Sequence, residues 1–98
     1  MTKVKPLFGR TGKPVANQYI IEANDDNTDL VSNYSIFQSY DSSIVLKNHD
    51  TGKVFLDEKY WNYSMTTSKY RNQFLGESTK ETQAKIDSGE YKLVDLNS

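Results

Sequence analysis

The spacing of apolar residues changes period near residue 60, and that change limits the fold to a class with strands first and helices second. Residues 15–23 place Val15, Tyr19, Ile21 and Ala23 on one face of a strand. Residues 34–40 place Tyr34, Ile36 and Tyr40 on one face, with Phe37 between Ser35 and Ser39 on the other. Asp41-Ser42-Ser43 reads as a turn and Ile44–Lys47 as a returning strand, so 34–47 forms a hairpin. Asn48 through Lys53 is a second turn, where Gly52 supplies the positive φ, and Val54-Phe55-Leu56 continues the meander. Thr11-Gly12-Lys13 echoes Thr51-Gly52-Lys53, which suggests two similar hairpin turns.

The second half has helix punctuation. Thr66 or Thr67 caps a helix whose apolar stripe is Tyr70, Phe74 and Leu75, closed by Gly76. Ser78-Thr79-Lys80-Glu81 has capping-box spacing and opens a second helix ending near Ser88, with Gly89 as its stop. Glu81 and Lys85 stand at i,i+4, a pair worth about 0.3 kcal/mol. Ile86 is the only large apolar residue of this helix, so the helix must dock to be stable. Residues 91–96 return to strand character. The expectation is one α+β domain: a curved antiparallel sheet of four to five strands with two short helices, in the order β-β-β-β-α-α-β. Residues 1–14 form a basic arm or edge hairpin, 15–57 the β-meander, 58–89 the helical pair and 90–96 the final strand.

Composition narrows the function. With 98 residues there is room for one domain, and an apolar content of 36% means a small core. The absence of cysteine excludes disulfides, thiolate metal sites and thiol nucleophiles. No window approaches the roughly 20 apolar residues of a membrane span, and the charged N-terminus has no apolar stretch behind it. A cytoplasmic protein is therefore expected, and the sequons at Asn33 and Asn62 are read as chance. The net charge of −1 hides segregated blocks: Lys3, Lys5, Arg10 and Lys13 face no acid within residues 1–15, while 22–50 holds six acids against Lys47. Such blocks either neutralise one another in the fold or steer a charged partner.

Several motifs fail at a named position. Gly9 through Pro14 resembles part of a phosphate loop, but Pro14 stands where a hydroxyl is needed and strand-like residues follow, so a hairpin turn is expected. Asp25, Asn27 and Asp29 have calcium-loop spacing, yet Leu30 and Ile36 occupy the glycine and glutamate positions, leaving a solvated acidic loop over 24–33. His49 is the sole histidine, too few for zinc, and its pairing with adjacent Asp50 in a turn makes a poor catalytic dyad. No serine or threonine sits in a nucleophile elbow. The chain is expected to be no enzyme, and no cofactor or metal site is expected.

The richest stretch is 59–75, with three cations (Lys59, Lys69 and Arg71), five aromatic rings and no acid. Cations interleaved with rings suit single-stranded nucleic acid, and Trp and Arg also dominate protein-interface hot spots. Tyr70 and Phe74, at i,i+4, are expected to face the core. Lys69, Asn72 and Gln73 then face outward and, with Arg71, Lys59 and Trp61, are the candidate binding residues; Trp61 is either core or contact.

These residues also carry a resemblance. Phe37-Gln38-Ser39-Tyr40, Val54-Phe55-Leu56, the run Trp61-x-Tyr63-Ser64, Thr66-Thr67-x-Lys69-Tyr70-Arg71 and Phe74-Leu75-Gly76, and the tail Lys85-Ile86-x-Ser88-Gly89-x-Tyr91 resemble a group of small proteins of phages and mobile elements of Gram-positive bacteria, a domain of unknown function. The resemblance covers about residues 15–96, with the acidic loop as an insertion. It brings no catalytic residues. It implies a setting in the host-cell cytoplasm, where small phage proteins act by occupying a host protein's surface, inhibitors of CRISPR nucleases among them.

Two functions follow as expectations. One is a non-catalytic accessory protein that binds a host or phage protein. The other is a nucleic-acid-binding module using residues 1–13 and the cations of 59–71, which the acidic pI of about 5.7 disfavours. A homo-oligomeric assembly role through an open sheet edge is a weaker third. No membrane partner is expected.

Overall fold

The computed structural model describes residues 2–9, 11–24 and 33–97. Among these lie β1 (Thr2–Phe8), β2 (Pro14–Asn24), β3 (Asn33–Ser39), β4 (Ser42–Asn48), β5 (Val54–Asp57), α1 (Met65–Leu75), α2 (Thr79–Asp87) and β6 (Tyr91–Val94). The strands form one open sheet in the order β1-β2-β3-β4-β5-β6. Neither helix is long and apolar enough to cross a membrane.

The α+β class and the order of the expected elements hold, with two corrections. The sheet has six strands, because the basic arm is a strand: β1 pairs antiparallel with β2 from Thr2↔Ala23 to Phe8↔Pro14. Its place at the edge tolerates Pro6, which has no amide to give a second neighbour, and the lysines Lys3 and Lys5. The sheet is also mixed. The chain leaves β5, passes through both helices and returns as β6 in the same direction, so β6 pairs parallel with β5 through Leu56↔Leu93.

Turn chemistry sets the hairpins. Gly9 and Lys13 close the β1–β2 turn through Gly9 N–H donating to the Lys13 carbonyl at 2.9 Å, a hairpin rather than a loop opening a helix. Gly52 takes φ 73° between β4 and β5. The β3–β4 turn is tighter than expected: Ser42 and Ser43 already pair in β4, leaving Tyr40, at φ 55°, and Asp41 to turn the chain. The acidic segment 25–32, with the calcium-loop spacing, lies outside the described residues, as does Arg10.

The helices cover the less apolar face of β2 and β3. Phe37 is fully buried between the half-exposed flanks of its own strand, with Ser35 and Ser39 buried beside it. Phe74 of α1 stacks on Phe37 with ring centroids 5.9 Å apart. Ile20 pairs with Phe37 and packs on the same core, together with Leu7, Val45, Val54 and Leu56. A register shift beside Phe37 inserts Ile44 into β4 as an extra residue, which is why adjacent Ile44 and Val45 are both buried. The repeat of Tyr19, Ile21, Tyr34 and Ile36 lies on the opposite face, half-buried among its own neighbours.

Helix ends also differ in detail. Ser64, not Thr66 or Thr67, caps α1, its hydroxyl accepting from the Thr67 amide at 3.1 Å. Thr67 instead turns inward and is buried. Gly76 closes α1 at φ 70°, and Ser78 with Glu81 forms the expected capping box of α2. Glu81 is committed to that cap, and Lys85 pairs with Glu77 at 3.1 Å rather than with Glu81. Ile86 docks on the core as required. Strand β6 stops at Val94, short of Leu96, whose amide turns to Asp57.

Candidate functional site

The segment 59–75 begins at a turn organised by one carboxylate. Asp57, at the end of β5 and nearly fully buried, accepts from the amides of Leu96 at 2.9 Å, Tyr60 at 2.9 Å and Lys59 at 3.1 Å. Burial pushes this carboxyl up, but the amides of Leu96, Tyr60 and Lys59 and the Asn97 side chain outweigh it and hold the group below its ordinary value. The chain therefore folds back sharply, leaving Lys59 exposed and bringing Trp61 onto the core.

Two contact candidates of α1 turn inward: Asn72, expected to face outward, is half-buried, and Arg71 is enclosed. Arg71 is fully buried, with 0% exposure. Two positions in an α-helix are about 200° apart and four about 40°, so Arg71 shares the inward face with buried Thr67. The guanidinium lies over the Trp61 ring, 5.1 Å from its centroid, and Nη1 donates to the Trp61 carbonyl and, at 3.3 Å, to Asn62 Oδ1. Nη2 donates to Asn72 Oδ1 at 2.9 Å and to Thr79 Oγ1 at 2.7 Å. Burial draws the group below its usual range, opposed by the nearby Glu77 carboxylate. These bonds join the turn after β5, α1 and the first residue of α2. Trp61, Arg71 and half-buried Asn72 form an internal brace.

A second internal group completes it. Tyr91 of β6 donates from its hydroxyl to Glu77 Oε1, and Lys85 pairs with Glu77 Oε2. Burial, reinforced by the Glu77 carboxylate, pushes the Tyr91 hydroxyl up to about 12.

Of the six candidates, Lys59, Lys69 and Gln73 remain on the surface. They are not equivalent: the Lys69 ammonium rests 5.3 Å from the Tyr70 ring centroid, and the Gln73 amide donates to the Phe8 carbonyl at 2.8 Å. Lys5 of the N-terminal basic block pairs with Glu22 at 2.8 Å, so that block is partly neutralised within the sheet.

Large apolar side chains are exposed at the β1 edge, Val4 at 62% and Phe8 at 51%, and around the start of α1. Met65 is 91% exposed, Tyr40 51% and Tyr63 48%. They belong to one end of the molecule, because Ser39 Oγ and Thr67 Oγ1 hydrogen-bond at 2.8 Å and staple the first turn of α1 to the end of β3. Each is held. The Tyr40 amide donates to the Asn17 carbonyl at 2.7 Å and its carbonyl accepts from Gln38 at 2.8 Å. Tyr63 meets Tyr60 edge-on, centroids 5.2 Å apart. Met65 lies about 200° around α1 from Thr67 and so points away from the core. One sequence signal could have found it: Met65 sits off the Tyr70–Phe74 stripe, a large apolar residue with no inward place. Tyr40 carried no such signal, since its alternation with Ile36 breaks only at its positive φ.

His49 and Asp50 do not act as a pair. His49 Nε2 bonds to Ser35 Oγ at 2.7 Å, while the Asp50 carboxylate accepts from the Asn33 amide and side chain at 3.0 and 3.1 Å. Among the described residues no group of three histidines or carboxylates is placed to hold a metal ion.

No curated protein and no solved structure matches the chain. A family model does, over residues 2–90, which takes in β1 and the acidic segment as well as the brace. By that match, which spans all but the final strand and the tail, the chain belongs to a family of unknown function, DUF8033.

Proposed function

We propose that this protein is a non-catalytic accessory protein of phage type that works by binding another protein, and that Tyr40, Tyr63 and Met65 form the contact. The observation that carries the reading is the 91% exposure of Met65 at the start of α1, on the turn of helix stapled to the end of β3 that leads into half-exposed Tyr40. Large apolar and aromatic side chains exposed to water are the composition of protein-interface centres. A host or phage protein is the partner class, and a defence component such as a CRISPR nuclease is the member that the motif resemblance suggests. Nucleic acid finds less to hold: of the three cations in 59–75, Arg71 is enclosed, and Lys5 is already paired.

The test is a pull-down from lysate of a Gram-positive host with the partner identified by mass spectrometry. The wild-type chain should retain a stoichiometric protein that Tyr63→Ala and Met65→Asp lose, Met65→Asp with no fall in melting temperature. Retention by the variants, or a salt-sensitive nucleic acid as the retained species, contradicts the reading.

A further inference from the structure

The helices cover only part of the sheet's inner face. Cα register aligns Lys3, Glu22, Ser35 and Lys47 in one row across β1 to β4, next to the row Lys5, Ile20, Phe37 and Val45. Phe37 and Val45 lie beneath α1, so by alternation along each strand the first row shares their side of the sheet. A sheet face that packs helices is ordinarily apolar. Here the apolar row gives way to a charged one, and a cleft of about 340 Å³ opens between them. That is the lower end of the range for small-molecule sites.

The cleft is divided by chemistry. Leu7, Ile20 and Phe74 supply apolar surface, and Glu22, Ser35, Lys47, His49 and Gln73 supply the polar lining. The lone carboxylate is already occupied, since Glu22 pairs with Lys5 at 2.8 Å. Lys47 is in no ion pair among the described residues. His49 is fixed at the rim by its 2.7 Å bond to Ser35, itself buried. Lys47 is therefore the cation of the lining left without an ion pair, and the one acid there, Glu22, already faces Lys5, both beside an apolar floor. A cation has no unpaired carboxylate to meet there, and a bare inorganic anion would leave the floor unused.

We propose that this cleft binds a small organic carboxylate, its apolar body against Leu7, Ile20 and Phe74 and its charge against Lys47 and His49. The charge-assisted bond to Lys47 supplies orientation, and the floor supplies most of the burial. The site meets β3 at Ser35, about five residues or roughly 17 Å from Tyr40, and does not depend on the protein-contact reading.

The experiment is an NMR titration of the full chain with three probes: phenylacetate, its neutral analogue phenylacetamide, and inorganic phosphate. Phenylacetate should give saturable shifts centred on Leu7, Ile20, Lys47 and Phe74, with a dissociation constant of about 1 mM or tighter. Phenylacetamide should bind at least about fivefold more weakly, and phosphate should not saturate. Lys47→Gln should weaken phenylacetate by about fivefold or more, and Glu22→Gln, which frees Lys5, should tighten it by about twofold. Met65→Asp should leave all three titrations unchanged. The proposal is overturned by absence of saturation with phenylacetate, by equal affinity for the neutral analogue, by saturation with phosphate at equal strength, or by weaker binding in Glu22→Gln. If Lys47→Gln does not fold, the Glu22→Gln result and the three-probe comparison decide alone.

Discussion

The Arg71 guanidinium lies over the Trp61 ring at 5.1 Å from its centroid and also donates to the carbonyl of that same tryptophan. One residue is thus gripped from two sides, and the fully enclosed cation has hydroxyl, amide and carbonyl oxygens for its hydrogen-bond partners instead of a carboxylate.

Arg71→Ala should be among the most damaging single substitutions, because it opens a cavity and leaves the Trp61 carbonyl and Asn72 Oδ1 short of donors. The expected loss is about 2–4 kcal/mol, read as a fall in denaturant midpoint at constant slope. Trp61→Ala should cost about 3–5 kcal/mol, and the double variant should cost clearly less than the sum, since both act on one contact. Lys59→Ala and Lys69→Ala, by contrast, should stay within about 0.5 kcal/mol of wild type.

The Ser39–Thr67 hydroxyl pair gives a second test. Ser39→Ala strands a buried hydroxyl and should cost about 1–3 kcal/mol. Adding Thr67→Val removes the stranded group and should recover part of that loss, as thermal unfolding of the two variants would register.

These residues also show what the sequence could carry. The Ser78–Glu81 cap, the closure at Gly76 and the turn at Gly52 were legible because each depends on residues a few positions apart. The alternation in β2 and β3 was legible too, but period two does not say which face the helices cover, and they cover the one bearing Phe37. The parallel pairing of β6 depends on a partner more than 30 residues away. Arg71 was misplaced because a charged side chain on a helix is ordinarily solvated, and only the convergence of Trp61, Asn72 and Thr79 makes its burial tolerable.

Alkaline pH should loosen the β6 end. The Tyr91 hydroxyl is raised in the fold to about 12 from its ordinary 10, so the fold favours the protonated form. Its contribution is complete below pH 10 and is lost as the pH rises through about 12. Stability measured by denaturant across that window should fall less steeply in Tyr91→Phe than in wild type.

Acid should act at the opposite end of the β5–β6 pair, where Asp57 lies against Val94. The Asp57 carboxyl is held below its ordinary 3.8 in the fold, so its contribution is present above that pH and is lost as the pH drops through the folded value. Asp57→Asn keeps one oxygen acceptor but loses the charge and the second, and should cost about 1–3 kcal/mol at neutral pH. Below pH 3.8 the gap between variant and wild type should narrow.

The central claim is that segment 59–75 divides into an internal brace and an outward contact. Met65→Asp separates them most directly, because α1 has no acid in its first turn and an aspartate there suits the helix N-terminus by about 0.3–1 kcal/mol. Unfolding and partner retention measured on this one variant should give a stability equal to or above wild type together with loss of the protein partner. A variant that unfolds earlier, or one that keeps its partner at wild-type strength, contradicts the division.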